Sequence, residues 1–362
     1  MEQRAGFAGS SMDYFLIGLT SIHWREAWKY GERAYRYCHH DLGHAISAVR
    51  LSAAMLGWQA AYRQEFSESE VAVLLGLSRG EDFHEAEDEY AECLIVVSAA
   101  GKPANVEQMF LDLESANWQG TANRLSESHV EWKIIDEVAK AARKPRTVVP
   151  ESGRPCPPGK RFIVPASQPA EQIIQQRRSC LGLDGKTRIS RDVFFNILTR
   201  TLPERTAIPF DVFSESLLIE PRIHFAVFVH RVDGIVPGLY FLIRNPLAET
   251  NLRAALNPAF LWTQPVPDFP LHLLKEGDFT HISSGIACGQ DLAGDGVFSL
   301  GMIAEFEDSI RSTGPWLYPR LFWEAGLIGQ VLYLEAEAAG IRGTGIGCYY
   351  DDPMHELLGI KT

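Results

Sequence analysis

The sequence predicts an α+β protein, a mixed sheet flanked by helices, in which two related halves form an internal pseudo-dimer. Three observations lead there. A helix-and-loop unit near the start of the chain recurs, at a constant offset, near its end. A proline-rich stretch separates the two copies. A hairpin of apolar, β-branched and aromatic runs follows in the second half only. The expected organisation is a mostly helical first half over 1–143, a linker over 144–172, and a second half over 173–362.

The 362-residue length and ordinary composition, 46% apolar and 22% charged, allow one large core or two. The formal charge of −12 repels phosphate backbones, so no nucleic-acid partner is expected. Lys140 to Arg146 carries four cations but no interleaved aromatics, and reads as a solvated helix end. The six cysteines form no CxxC pair, which fits a reducing compartment. The apolar run Phe15 to Leu19 is short and follows Asp13, so it does not read as a signal peptide. No window approaches the roughly 20 apolar residues that span a bilayer. Cytoplasmic location is the expectation.

Residues 1–100 read mainly as helix, most clearly Asp41 to Leu56. Val106 to Arg143 reads as helix broken near Gly120. Seven of the twenty prolines lie between Pro145 and Pro169. Proline removes a donor and restricts the residue before it, so this stretch reads as an extended linker. Glu171 to Arg178 then reads as a short helix. Ser190 is placed as the N-cap of a helix running to Thr199. The runs "IHFAVFVHRV" and "GLYFLIR", separated by Asp233-Gly234 and Pro237-Gly238, predict a hairpin. Residues 297–312 read as helix, and Trp323 to Ala339 as a strong one.

The repeat aligns 31–77 with 314–360 without a gap. Gly31, Tyr35, Gly43, Leu51, Ala53, Gly57, Leu74, Leu75 and Gly76 match Gly314, Tyr318, Gly326, Leu334, Ala336, Gly340, Leu357, Leu358 and Gly359, nine identities in 47 positions. Asp41 and Glu324 form an acidic pair expected at the helix starts, where it complements the dipole. Gly57 and Gly340 are expected to close the helices. A helix apolar on nearly every side packs best against its counterpart across a pseudo-two-fold axis.

Three stretches carry candidate chemistry. Arg177, Arg178 and Ser179 offer two forked guanidiniums and a hydroxyl, a set that suits a phosphate. Gly343-Thr344-Gly345-Ile346-Gly347 lets backbone groups approach a flat ligand. Gly238-Leu239-Tyr240 lies in the hairpin. Taken singly, the first reads as a solvated face and the second as a flexible turn. His40 and His44, at i and i+4 beside Cys38, His39 and Asp41, have a spacing that can bind zinc, but no third ligand is specified and no metal is assigned.

In this order the features resemble the nitroreductase family, in particular its SagB-type branch. The resemblance rests on "RRSCLGLDGKTRISRDVFFNIL", on "PGLY" at Pro237 to Tyr240, and on "EAGLIGQVLYLEAEAAGIRGTGIGCYYDDPMHELLG". It covers about residues 173–360, and its helix portion recurs in 31–77. It implies a flavoprotein with FMN at the interface of the halves. Arg177, Arg178 and Ser179 would hold the FMN phosphate, and the backbone of Gly345, Ile346 and Gly347 would face the isoalloxazine. The implied chemistry is two-electron hydride transfer from NAD(P)H, through flavin N5, to a small-molecule or peptide acceptor. No dedicated acid or base is needed, so no catalytic residue is named. The internal pseudo-dimer is compatible with a monomer.

The sequence departs from the family where Leu181 replaces a basic residue and "TAIPFDVFSESLLIEPR" stands for a serine- and glycine-rich loop. The first half has no "RRS" segment, and the family's final strand is expected to be absent. The alternatives are therefore a degenerate scaffold without flavin turnover and a SagB-type peptide-azoline dehydrogenase.

Overall fold

A computed structural model describes residues 14–83, 86–99, 106, 118–125, 130–148, 160–203, 207–214 and 220–361. The elements are β1 (Tyr14–Ser21), α1 (Trp24–Tyr30), α2 (Ala34–Met55), β2 (Trp58–Tyr62), α3 (Glu68–Leu74) and β3 (Tyr90–Ala99). Next come α4 (Lys133–Ala141), α5 (Ala170–Gln176), β4 (Ile189–Ser190), α6 (Arg191–Thr201), β5 (Ile223–Val229), β6 (Val232–Asp233) and β7 (Gly238–Leu242). The chain ends with α7 (Glu249–Ala255), β8 (Leu271–Glu276), α8 (Thr280–Ile286), α9 (Leu292–Asp295), β9 (Phe298–Ala304), α10 (Phe306–Thr313), α11 (Tyr318–Ala338) and α12 (Asp351–Leu358).

The expected mostly helical first half is corrected: it contains an antiparallel sheet in the order β1-β3-β2. The central strand β3 holds Leu94, Ile95, Val96 and Val97, all buried. A continuous apolar run of this length cannot be told from a buried helix by periodicity, which is why the sequence misled. Of the helix expected over Val106 to Arg143, Lys133–Ala141 is helical and 118–125 is not, while 107–117 lies outside the described residues. At 160–168 the linker forms neither helix nor strand, and Phe162 stacks on Phe195 at 4.8 Å; residues 149–159 lie outside the described ones.

The second sheet is antiparallel, in the order β8-β7-β5-β9, and β5 with β7 forms the expected hairpin. Every residue of β5 is buried because both faces are covered. By the two-residue pleat, Phe225, Val227 and Val229 join a core shared with Ile46 of α2, Ile95 of β3 and Trp323 of α11. Ala226 and Phe228 point the other way, toward Phe279, Met354 and Leu358. A single core thus draws on both halves of the sequence. Ser190 caps α6 as expected, its hydroxyl accepting from the Val193 N–H at 3.3 Å. The helix expected over 297–312 is corrected to a strand, β9, followed by α10; β9 pairs along its whole length with β5.

The long helices α2 and α11 cross at two glycines. A Cβ at Gly43 would lie 2.1 Å from the Trp323 carbonyl oxygen, and one at Gly326 would lie 2.0 Å from that of His40. The repeat alignment maps each of these contacts onto the other. Tyr35 and Tyr318, another matched pair, stack with centroids 5.9 Å apart and ring planes 12° apart. Gly57 and Gly340 both sit at φ +73°, just beyond the helix ends, as Schellman-type closure requires. The same alignment lays α3 on α12 and, extended toward the N-terminal side, lays β1 and α1 on β9 and α10, to within one position at either end.

The acidic pair is not at the helix starts. Both helices begin six or seven residues earlier, leaving Asp41 and Glu324 in mid-helix. Glu324 instead accepts from the Arg222 N–H at 3.0 Å and pairs with the buried Arg244 guanidinium. Among the described residues no helix is long and apolar enough to cross a membrane.

Candidate functional site

The crossing of α2 over α11 leaves a cavity of about 1430 Å³ on one side. Arg36, His40 and His44 of α2 form one wall, one helical turn apart. Phe322, Gly329 and Tyr333 of α11 form the next, and every residue of β9 contributes to a third. Loop segments 182–184 and 343–346 add to the lining.

The structure brings two of the three sequence stretches together. The Tyr333 hydroxyl accepts from the Gly345 N–H at 2.7 Å and lies 3.0 Å from the Ser179 hydroxyl. The Arg177 guanidinium rests 5.0 Å from the Tyr333 ring centroid. The Cys180 N–H donates to the Gly343 carbonyl at 3.2 Å. Gly345 and Ile346 line the cavity itself, and the Arg177 to Ser179 turn leads directly into Cys180, which also lines it. Arg178 curls back onto its own chain, donating to the carbonyls of Gln175 and Arg177 at 2.9 and 2.8 Å. Gly347 faces α2: its carbonyl accepts from the Tyr37 hydroxyl at 2.7 Å. Gly238 to Tyr240 is not in this site. It is a buried central strand, where a Cβ on Gly238 would meet the Lys275 carbonyl at 2.5 Å.

Sequence reading missed Arg36, Tyr333 and Ser299. The signal for Tyr333 was its spacing of seven from Gly326, which puts both on one helical face. His40 and His44 share a face, as their spacing required, but that face borders the cavity. His44 Nδ1 is 3.0 Å from Gln330 Oε1, and the His40 ring packs edge-on against Phe322 at 5.2 Å. Burial, with Arg36 and His44 adding to it, pushes the His40 imidazole down to about 4, so the ring is neutral at pH 7.

Two other clusters are structural in geometry. His23 Nε2 and His39 Nδ1 each lie 3.7 Å from a Glu92 carboxylate oxygen. The Trp323 indole N–H donates to His39 Nδ1 at 3.1 Å, so that lone pair already binds the second half of the chain. The Ser283 hydroxyl lies 3.4 Å from His230 Nε2, which also contacts the Ala293 carbonyl at 3.1 Å. A nitrogen that donates to a carbonyl carries its proton and cannot serve as a base for serine.

Neither a protein-family model nor a curated protein matches the sequence. The fold is similar to a crystal structure of an Anabaena variabilis protein assigned as a nitroreductase, with a TM-score of 0.65 and 20% sequence identity. The match covers 96% of this chain, which spans 66% of that one. At that identity the likeness is one of architecture: this chain has a nitroreductase-like fold of mixed helix and sheet.

Proposed function

We propose that the chain is an FMN-dependent oxidoreductase of the nitroreductase kind, built as an internal pseudo-dimer whose seam holds the cofactor. The observation that carries this reading is the Tyr333 hydroxyl, which ties the Ser179 turn to the Gly345 backbone beside the cavity. The reciprocal glycine crossing and the stacked tyrosines support the pseudo-dimer. The proposed boundaries remain 1–143, 144–172 and 173–362.

Three features support the fit of a flat, phosphorylated ring. The cavity volume exceeds the roughly 300 Å³ at the lower end for ligand sites. Two buried polar atoms on its wall, Ser299 Oγ and Arg36 Nε, have no partner in the protein. Buried polar groups are ordinarily hydrogen-bonded, so these point to a ligand or water. The glycines of 343–347 leave backbone accessible. In this reading Arg177, Arg178 and Ser179 hold the phosphate, and Gly345, Ile346 and Gly347 lie against the ring.

When bound, FMN supplies two-electron chemistry, accepting hydride from NAD(P)H and passing it to a small-molecule or peptide acceptor. The chain's own residues bind and shield. Arg177 trades its stacking on Tyr333 for charge-assisted bonds to phosphate, which are shorter and stronger than neutral ones. His40 and Phe322 keep water from one wall, and the neutral imidazole adds no charge there. Arg36 is held by the Tyr349 hydroxyl at 2.8 Å, fixing the loop that follows Gly347.

The test is a titration of the purified chain with FMN, followed by the visible spectrum and by NAD(P)H oxidation with a quinone or nitroaromatic acceptor. One bound FMN per chain and acceptor-dependent turnover are expected. A second reading, the degenerate scaffold, is favoured by the Tyr333 hydroxyl already occupying the Gly345 N–H. A colourless protein that takes up no FMN would establish that alternative and end the first.

A further inference from the structure

Cys288 follows α8, and Cys348 directly follows the glycine loop. The Tyr350 N–H donates to the Ile286 carbonyl at 2.9 Å, so the backbones two residues from Cys348 and from Cys288 meet. The Gln290 side-chain amide donates to the Cys348 carbonyl at 3.3 Å on the far side, so the pair is held from both ends. Both thiols are free and half-buried, and each shifts the acidity of the other.

The charges around the pair differ from those around the other described cysteines. Arg33 of the first half brings a guanidinium nitrogen 3.7 Å from Cys348 Sγ. Arg36 donates to the neighbouring Gly347 carbonyl at 3.4 Å. The Cys288 thiol, Arg33 and Arg36 together hold the Cys348 thiol below its ordinary range. Reactive cysteines sit in such partly exposed, electropositive places.

We propose that Cys288 and Cys348 form a reversible dithiol–disulfide centre beside the cavity, oxidised by a low-molecular-weight disulfide such as glutathione disulfide. The Cys348 thiolate attacks one sulfur of the oxidant. Its S–S bond breaks, and one glutathione thiolate leaves and takes up a proton. The Cys288 thiol gives its proton to solvent and attacks the Cys348 sulfur of the mixed disulfide, releasing the second glutathione. The two cysteines together lose two electrons, and the oxidant becomes two thiols. The bridge then fixes the segment after Gly347 to the turn after α8, at a point where Ala287, Ile346 and Tyr349 line the cavity. It requires no flavin and stands apart from the proposed function.

The test is to equilibrate the whole chain in glutathione redox buffers and map its disulfides by mass spectrometry of the unreduced digest. The expected result is loss of two thiols and a peptide linking Cys288 to Cys348, reversed by excess reduced glutathione. Cys288→Ser should instead accumulate a mixed disulfide on Cys348. Arg33→Ala should slow the first attack, because removing the guanidinium beside Cys348 Sγ lowers its thiolate fraction. The wild-type map decides the matter even if a variant does not fold. Two thiols left free, separate glutathione adducts on both cysteines, or a link to any other cysteine would each overturn the proposal.

Discussion

The two copies of the repeated unit share a helix, a crossing glycine and a left-handed closing glycine, yet they part company directly afterwards. Beyond Gly57 the chain enters strand β2 and buries Ala60 and Tyr62. Beyond Gly340 it makes no regular structure for ten residues and borders the cavity instead. The matched positions along the helices diverge in the same way. Tyr333 gathers the Ser179 turn and the Gly345 loop, whereas its counterpart Arg50 is buried against Asp211 at 2.7 and 2.9 Å. The shared residues make the crossing, and the unshared Tyr333 and the loop after Gly340 border the cavity beside it.

The matched acidic pair offers the sharpest way to break this comparison. Glu324→Ala strips the carboxylate from the buried Arg244 and should cost about 3–5 kcal/mol, as loss of one partner of a buried pair does. Asp41→Ala, at an exposed position, should stay within about 0.5 kcal/mol. Urea denaturation of both variants checks this, and equal losses would mean that the helices are more alike than described.

Arg177→Ala comes next. It should lower FMN affinity at least tenfold, since each charge-assisted bond contributes roughly 1.5–3 kcal/mol. Titration against Arg50→Ala, a destabilising change at the position matching Tyr333, separates binding from folding. Unchanged FMN affinity in Arg177→Ala would remove the phosphate assignment.

Gly43→Ala and Gly326→Ala should each destabilise the chain by roughly 1–3 kcal/mol, because the added Cβ meets backbone that cannot turn aside. Reciprocal contacts predict similar losses. A difference of more than about 1 kcal/mol in denaturation free energies would show that the crossing is not symmetric in energy.

The smallest effect concerns the helices that end the two units. Ser67 caps α3 in a capping box with Glu70, its hydroxyl accepting from the Glu70 N–H at 3.2 Å. Tyr350, at the matching position before α12, makes no side-chain cap. Ser67→Ala should cost about 1 kcal/mol by thermal melting, and Tyr350→Phe nothing through capping.

By itself the sequence determined the repeat, the closing glycines at 57 and 340, the Ser190 cap and the β5–β7 hairpin. Each depends on local chemistry: a left-handed φ, a hydroxyl before a helix, or alternating apolar runs around Gly and Pro. The resemblance, rather than residue type, singled out Arg177, Arg178, Ser179, Gly345, Ile346 and Gly347 as candidates. Tertiary structure decided the rest. Strands β1 and β3 form because β3 is covered on both faces, so its apolar run carries no period to read. Strand β9 exists because β5 offers it an edge, and Gly238 belongs to the core because β8 passes within van der Waals reach. Glu324 bonds Arg244 rather than the helix dipole because burial of that guanidinium demands a carboxylate. Tyr333 joins two loops because the glycine crossing of α2 and α11 fixes the face it projects from, a consequence of packing that no single segment encodes.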